Sequence, residues 1–343
     1  MSPASTPAGL GYRMPAEWHR HAATWLTWPK DPVTWPDRVP AVQEIFLQFI
    51  DALTPHERVC LLVDNADVAA DVRRRCQGRA ARLEHLQLIE IETVDSWIRD
   101  YGPNFLLGPE GQLAFNHWGF NAWGGKYELL MRDASVPARL GLLADVTKFE
   151  PGLVLEGGSI DVNGAGTVLT TEQCLLHPNR NPHMTREEIE RGLCDFLGVE
   201  RVVWLGQGLV EDKDTDGHVD LIAAFAKPGE VLLQSTPLGT PSSERMADNR
   251  SRLVAAGLEV VDFPILPALE VGGEAVSVSH MNFYLCNGGA VVPVAGAPTD
   301  AEALERIGAA YPDREVVGVP GGVIAFGGGG PHCITQQVPA ASA

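Results

Sequence analysis

Five stretches of this chain follow one pattern, a polar or reactive lead-in that runs straight into a short apolar strand. They are Arg99-Asp100-Tyr101-Gly102-Pro103-Asn104-Phe105-Leu106-Leu107, Glu156-Gly157-Gly158-Ser159-Ile160-Asp161-Val162, His218-Val219-Asp220-Leu221-Ile222-Ala223-Ala224-Phe225, Met281-Asn282-Phe283-Tyr284-Leu285-Cys286 and His332-Cys333-Ile334-Thr335. Their starts lie roughly 50–65 residues apart, as in a chain built from a repeated structural unit. The first four lead into glycine-bearing turns such as Gly108-Pro109-Glu110-Gly111 and then into a second apolar strand, which predicts a hairpin each time. A helical stretch follows. It is clearest over Thr185–Gly198, where Thr185 and Glu188 have capping-box spacing and Ile189, Leu193, Phe196 and Leu197 line one face. Thr299 and Glu302 repeat the device over Thr299–Ala310, and Ser242–Gly257 is a polar helix with a glycine stop. A further apolar strand follows each helix, at Arg201–Leu205, Leu258–Phe263 and Arg314–Val319. The unit is strand, strand, helix, strand.

The fifth unit has no room for its remaining elements after Cys333, but the N-terminal region supplies them. Thr24–Trp28, the amphipathic Val42–Leu53 and Arg58–Val63 give strand, helix and strand, so the two ends of the chain can close a ring. Such closure leaves few open sheet edges. The fold class expected is α/β, a five-bladed pseudo-symmetric propeller; its alternative is a mixed α/β sheet whose hairpins resemble one another by chance. If the lead-ins face one central cavity, Asp100, Glu156, His218, Asp220 and Cys333 meet there.

Composition narrows the function. The chain is 45% hydrophobic and 20% charged, and holds no apolar run near the ~20 residues of a membrane span. A net charge of −18 disfavours nucleic acid and anionic lipid and favours approach of a cation. The six cysteines form no CxxC pair, so neither a disulfide framework nor a zinc ribbon is indicated. With no signal peptide at the start, the expected compartment is cytoplasmic. Residues 1–12 are expected to be a disordered tip, 13–338 a single domain and 339–343 a tail.

A thiol, a histidine and three carboxylates around one pocket suit few reactions. A carbonyl substrate fits poorly, because its developing oxyanion needs donors. A guanidinium fits well, since carboxylates accept its paired N–H groups bidentately. Cys333 would attack the central carbon, and His218 would first protonate departing ammonia and then act as base toward water. The carboxylates oppose thiolate formation, so activation of the thiol should depend on the bound cation. Each residue has a plainer explanation: Asp100 could pair with Arg99, Glu156 could sit in a turn, and His332 could satisfy nearby backbone. A zinc site at His218, Asp220 and Cys333 lacks a recognisable spacing.

At these residues the chain resembles the agmatine deiminase and Porphyromonas-type peptidyl-arginine deiminase family of the guanidine-modifying, or pentein, superfamily. The resemblance rests on Met14-Pro15-Ala16-Glu17-Trp18, Trp97-Ile98-Arg99-Asp100-Tyr101-Gly102-Pro103, Phe120–Tyr127, Leu155-Glu156-Gly157-Gly158-Ser159, Asn179-Arg180-Asn181-Pro182, Asp214–Asp220 and His332–Gln337, in common order over almost the whole chain. It implies a nucleophile at Cys333, a general acid/base at His218 and guanidinium-binding carboxylates at Asp100, Glu156 and Asp220. It also implies pocket walls at Trp97 and Trp123, the five-bladed propeller, a homodimer, and hydrolysis of agmatine to N-carbamoylputrescine and ammonia, a polyamine-forming step, with no metal or organic cofactor. This sequence departs from the family at Gly330 and Pro331, where Asn and Ile are usual, at Gly321-Gly322-Val323-Ile324, and at Asp216 and Leu221. Asp216 and Gly330 are therefore grouped with the substrate-contacting residues, and recognition of the substrate tail is expected to differ. Deimination of peptidyl-arginine or of a specialised guanidine metabolite, and a silent guanidine-binding protein, stand as alternatives.

Overall fold

The computed structural model describes residues 5–341. Five sheets share one topology: a first strand antiparallel to a second, and a third parallel to the second. Asn104–Leu107, Leu113–Asn116 and Thr147–Phe149 form one such sheet, and Ile160–Val162, Thr167–Thr171 and Arg201–Leu205 the next. Ala223–Lys227 with Glu230–Ser235 and Glu259–Ile265, then Tyr284–Cys286 with Gly289–Val294 and Glu315–Pro320, repeat it. The last sheet joins the chain ends. Thr335–Pro339 runs antiparallel to His21–Thr27, which runs parallel to Val59–Val63.

Covalent connectivity explains the pattern, because two residues can join antiparallel strands whereas a parallel pair needs a crossover, here usually a helix. Helix Val39–Leu53 buries Val42, Ile45, Phe46, Phe49, Ile50 and Leu53, the spacing of one helical face. Val59–Val63 and Thr167–Thr171 are buried at every position, as expected for strands covered on both faces. Helix Arg186–Leu197 starts at a complete Thr185–Glu188 capping box and stops at Gly198, whose backbone is left-handed with φ 67°. A side chain at Gly198 would also press on the Tyr12 carbonyl, 2.3 Å from the Cβ position.

Several expectations need correction. Thr299 makes no capping bond to helix Asp300–Ala310; Asp300 instead accepts from the amides of Ala295 and Ala297. Helix Ala66–Cys76, strand Leu86–Glu90 and the hairpin Ala268–Val271/Glu274–Ser277 were not anticipated, because they are polar or partly exposed and carry little periodic apolar signal. Of the N-terminal tip, residues 1–4 lie outside the described residues, but Ala8–Leu10 makes a 3-10 turn and Tyr12 is buried. The C-terminal tail begins inside a strand, at Pro339, and residues 342–343 lie outside the described residues. No helix among the described residues is long and apolar enough to cross a membrane.

Candidate active site

The reactive lead-ins are single turns placed immediately before the first strand of each sheet. Asp100 lies on the turn Ile98–Tyr101, and Glu156 and His218 stand at the N-terminal ends of the turns Gly157–Ser159 and Val219–Leu221. Asn282 lies on His280–Asn282, and Cys333 lies in the turn before Thr335. His218 and Asp220 were expected to alternate along a strand, but that strand starts only at Ala223. A tight turn rather than a pleat brings both inward.

Consecutive turns are stitched together. The Arg99 amide donates to the Cys333 carbonyl at 3.3 Å, and the Gly158 amide donates to Asp100 Oδ1 at 2.9 Å. Asn282 Nδ2 donates to the Asp220 carbonyl at 3.2 Å, and the His332 amide donates to the Asn282 carbonyl at 3.1 Å. His218 Nε2 is 3.9 Å from Glu156 Oε2, and its Nδ1 is 3.9 Å from Asp100 Oδ1 and 4.0 Å from Asp220 Oδ1. Gly158 marks the centre of the group. A Cβ there would lie 2.7 Å from His218 Nδ1, 2.8 Å from Asp220 Oδ2 and 3.0 Å from Asp100 Oδ1.

Cys333 Sγ is 3.4 Å from Asp220 Oδ2 and 3.2 Å from Asn282 Nδ2. It opens onto a cavity of about 290 Å³ whose walls include Trp97, Trp123, Asp100, Asp31 and Asp214. His218, Glu156 and Asp220 are almost fully buried and stand outside that lining, with Asp220 joining them to the thiol. The five residues expected to meet are thus neighbours, and both tryptophans stand at the cavity wall. Trp123 Nε1 also donates to Asp100 Oδ2 at 2.9 Å, which fixes the carboxylate.

Two residues grouped with substrate contacts are placed otherwise. Asp216 is turned to Lys126 at 2.8 Å and Arg180 at 2.9 Å, which hold it at a pKa of about 2 although burial acts the other way. Gly330 lines a neighbouring cavity of about 570 Å³ and abuts Asn282, whose Oδ1 would be 2.6 Å from a Cβ at that position. With Gly330 standing where the family usually has Asn, the side-chain amide beside the nucleophile comes instead from Asn282 of the fourth turn. Arg99 does not pair with Asp100; it bonds Glu17 at 3.2 Å and the His332 carbonyl at 3.1 Å.

Burial and the adjacent Asp220 and Asp100 carboxylates push the Cys333 thiol well above its usual pKa, so it rests protonated. Burial alone would depress His218, but Asp100, Cys174 and Glu156 outweigh it and hold the imidazole well above its ordinary value. Glu156 is lowered: its burial is overcome by His218 and by Arg180, whose Nε is 2.6 Å away. Asp220 is lowered as well, with burial overcome chiefly by His332. Burial, with Asp220 and Glu156, raises Asp100 despite His218. The resting site is therefore a neutral thiol beside an imidazolium and a cluster of acids.

Sequence reasoning did not single out Glu17, Asn282, Arg180 or Cys174 as parts of this site. Glu17 and Arg180 stood in motifs already noted, but nothing local gives their partners. Glu17 lies 315 positions from His332 and still meets it at 2.6 Å. Asn282 carried the available signal, a polar residue at the equivalent place in the fourth unit.

The profile of the Porphyromonas-type peptidyl-arginine deiminases matches residues 13–339. An agmatine deiminase of Pseudomonas aeruginosa is 37% identical, with 99% of this chain and 98% of the relative aligned. A putative agmatine deiminase of Legionella pneumophila is also 37% identical, over 98% of this chain and 97% of the relative. The solved structure of the agmatine deiminase of Enterococcus faecalis superposes with a TM-score of 0.90 at 35% identity, covering 98% of both chains. A profile match over nearly the whole chain, and relatives 37% identical and aligned almost end to end, establish that this chain belongs to the Porphyromonas-type peptidyl-arginine deiminase family.

Proposed function

We propose that the protein is a guanidine deiminase whose substrate is agmatine, releasing N-carbamoylputrescine and ammonia. The single observation that carries this reading is the thiol of Cys333 held 3.4 Å from Asp220, with Asp100 and Glu156 converging on the same imidazole. The names of the relatives agree with it.

Binding of the cation neutralises the acids that keep Cys333 protonated, and the thiol loses its proton to solvent. Thiolate then attacks the guanidinium carbon, giving a neutral tetrahedral adduct. His218, an imidazolium at rest, donates its proton to one nitrogen, and the C–N bond breaks to leave ammonia and a cationic amidino-thioether. The imidazole, now neutral, takes a proton from water as the oxygen attacks the same carbon. Collapse expels the Cys333 thiolate and loss of the remaining hydroxyl proton gives the ureido product. Asp100, Asp220 and Glu156 hold the substrate and the imidazole throughout. No metal or organic cofactor is part of this scheme.

The outer cavity supports the choice of agmatine over free arginine. Its walls carry Asp31, Asp100 and Asp214, with neither Lys nor Arg among the described lining residues. An α-carboxylate placed there would face like charge, whereas a terminal ammonium would not. Five similar sheets, turns stitched in sequence and paired chain ends support a closed five-bladed α/β propeller around the site. A cytoplasmic homodimer is part of the same reading, and light scattering on the purified chain measures its assembly.

Ammonia and ureido product are measured with agmatine, arginine and an arginine-containing peptide, using wild type and Cys333→Ser. The expected result is turnover of agmatine by wild type alone, with the variant at least about a thousandfold slower. Preference for the peptide would transfer the assignment to peptidyl-arginine, and binding of agmatine without ammonia would leave only a guanidine-binding protein.

A further inference from the structure

We propose that Glu156, Cys174 and His218 form an inhibitory binding site for a thiophilic divalent cation, with Zn²⁺ the best match. One carboxylate oxygen, one thiol sulfur and one imidazole nitrogen lie within 4.8 Å of one another, all three residues being buried. Glu156 Oε2 is 3.9 Å from Cys174 Sγ and 3.9 Å from His218 Nε2. The mixed sulfur, nitrogen and oxygen set suits zinc and disfavours magnesium or calcium, which take oxygen donors.

Two further observations point to a ligand. Both ring nitrogens of His218 are buried without a hydrogen-bond partner among the described residues, and Nε2 is the one nearer Glu156. Arg180 occupies Glu156 Oε1 at 2.6 Å, which leaves Oε2 turned to the Cys174 thiol and His218, each 3.9 Å away. Tetrahedral zinc bonds of about 2.0–2.3 Å set donors roughly 3.3–3.6 Å apart, so the two 3.9 Å pairs close by a few tenths of an ångström and the sulfur–nitrogen pair, within 4.8 Å, by up to about 1 Å, with water or substrate in the fourth position. The Arg180 guanidinium opposes a second cation here. Glu156, the Cys174 thiolate formed on binding, and the Asp100 and Asp220 carboxylates, 3.9 Å and 4.0 Å from His218 Nδ1, oppose that repulsion.

Binding releases the Cys174 thiol proton and the His218 imidazolium proton, so affinity rises with pH. Metal-bound His218 can neither donate to departing ammonia nor accept a proton from water, which stops turnover. The cation is an inhibitor, distinct from any cofactor of the proposed deimination. Cys174 takes no part in that chemistry, so metal binding holds or fails independently of the substrate assignment.

The test titrates Co²⁺ and Zn²⁺ into the full chain as wild type, Cys174→Ala and Cys333→Ala, following the thiolate-to-cobalt absorption band and calorimetric heat. The expected result is one equivalent bound with the band in wild type and in Cys333→Ala. Cys174→Ala should lose the band and bind zinc about 100-fold more weakly or worse. Survival of the band in Cys174→Ala with its loss in Cys333→Ala would place the metal on the nucleophile and overturn the proposal, as would no saturable binding to wild type. Should Cys174→Ala fail to fold, anomalous diffraction from zinc-soaked wild-type crystals decides the matter. A peak between the three donors supports the site, and a peak elsewhere or none refutes it.

Discussion

His332 Nδ1 stands 2.9 Å from Asp220 Oδ2, so the residue next to the nucleophile in sequence holds the acid next to it in space. Its Nε2 is 2.6 Å from Glu17, and Glu17 also bonds Arg99. Burial and Arg99 act to depress the His332 pKa, but the two carboxylates raise it from 6.5 to about 9. Burial would raise Glu17, yet His332 and Arg99 bring it down to about 2. His332 is thus a clamped imidazolium, and it acts as a positioning residue for Asp220.

Glu17→Gln should therefore destabilise the fold by about 3 kcal/mol, the cost of breaking one side of a buried ion pair. It should also raise KM for agmatine more than it lowers kcat, because Asp220 loses its fixed orientation. Thermal unfolding and steady-state kinetics measure both. An unchanged melting temperature and KM would remove the positioning role.

The same histidine sets a pH dependence. Its folded pKa of about 9 exceeds the unfolded 6.5, so its contribution is full below about 6.5 and is lost as pH rises through about 9. Thermal scans should show a melting temperature falling across that interval, with a smaller fall in Glu17→Gln. Equal slopes in the two proteins would contradict this.

Reactivity of Cys333 should depend on the charge of the reagent. With the thiol raised by burial, Asp220 and Asp100, neutral iodoacetamide at pH 8 should label it slowly. A cationic haloacetamidine should label it at least about tenfold faster, since the acids favour its approach and it relieves the repulsion on the thiolate. Mass spectrometry of the peptide containing Cys333 reads both rates, and equal rates would remove substrate-assisted activation.

Gly158→Ala tests where the substrate head group lies. The added methyl would come within 2.7–3.0 Å of His218, Asp220 and Asp100, so it occupies the space where their side chains converge. Loss of kcat/KM by about 100-fold or more, with circular dichroism unchanged, is expected. Wild-type turnover would place the guanidinium elsewhere.

Asp216 and Asp220, four residues apart, should part company on substitution. Asp216→Asn, facing Lys126 and Arg180, should keep kcat within about threefold, whereas Asp220→Asn, beside the thiol, should cost about 100-fold or more. Comparable losses would return Asp216 to the substrate-contacting residues.

Much of this architecture is written locally and could be read from the chain. Alternating hairpins, the Thr185–Glu188 capping box and the Gly198 stop depend on neighbours a few residues away, and the structure contains them. The pairing of chain ends was legible because the fifth unit lacked strands that residues 21–63 could provide. Convergence of Asp100, Glu156, His218, Asp220 and Cys333 followed from their equivalent places in the repeat.

Other features depend on long-range packing and leave no local trace. Glu17 meets His332 across 315 positions, Arg99 turns from its neighbour Asp100 to Glu17, and Asn282 supplies the amide absent at Gly330. Asp216 sits in a promising motif yet faces Lys126 and Arg180. Hydrogen-bonding capacity is a property of each residue, but its partner is chosen by which turns the packed sheets bring within about 3 Å. The sequence by itself therefore determined the repeated unit and the chemical types gathered at its mouths. Only tertiary structure decided their pairings and protonation, because burial and neighbouring charge exist only once distant turns have met.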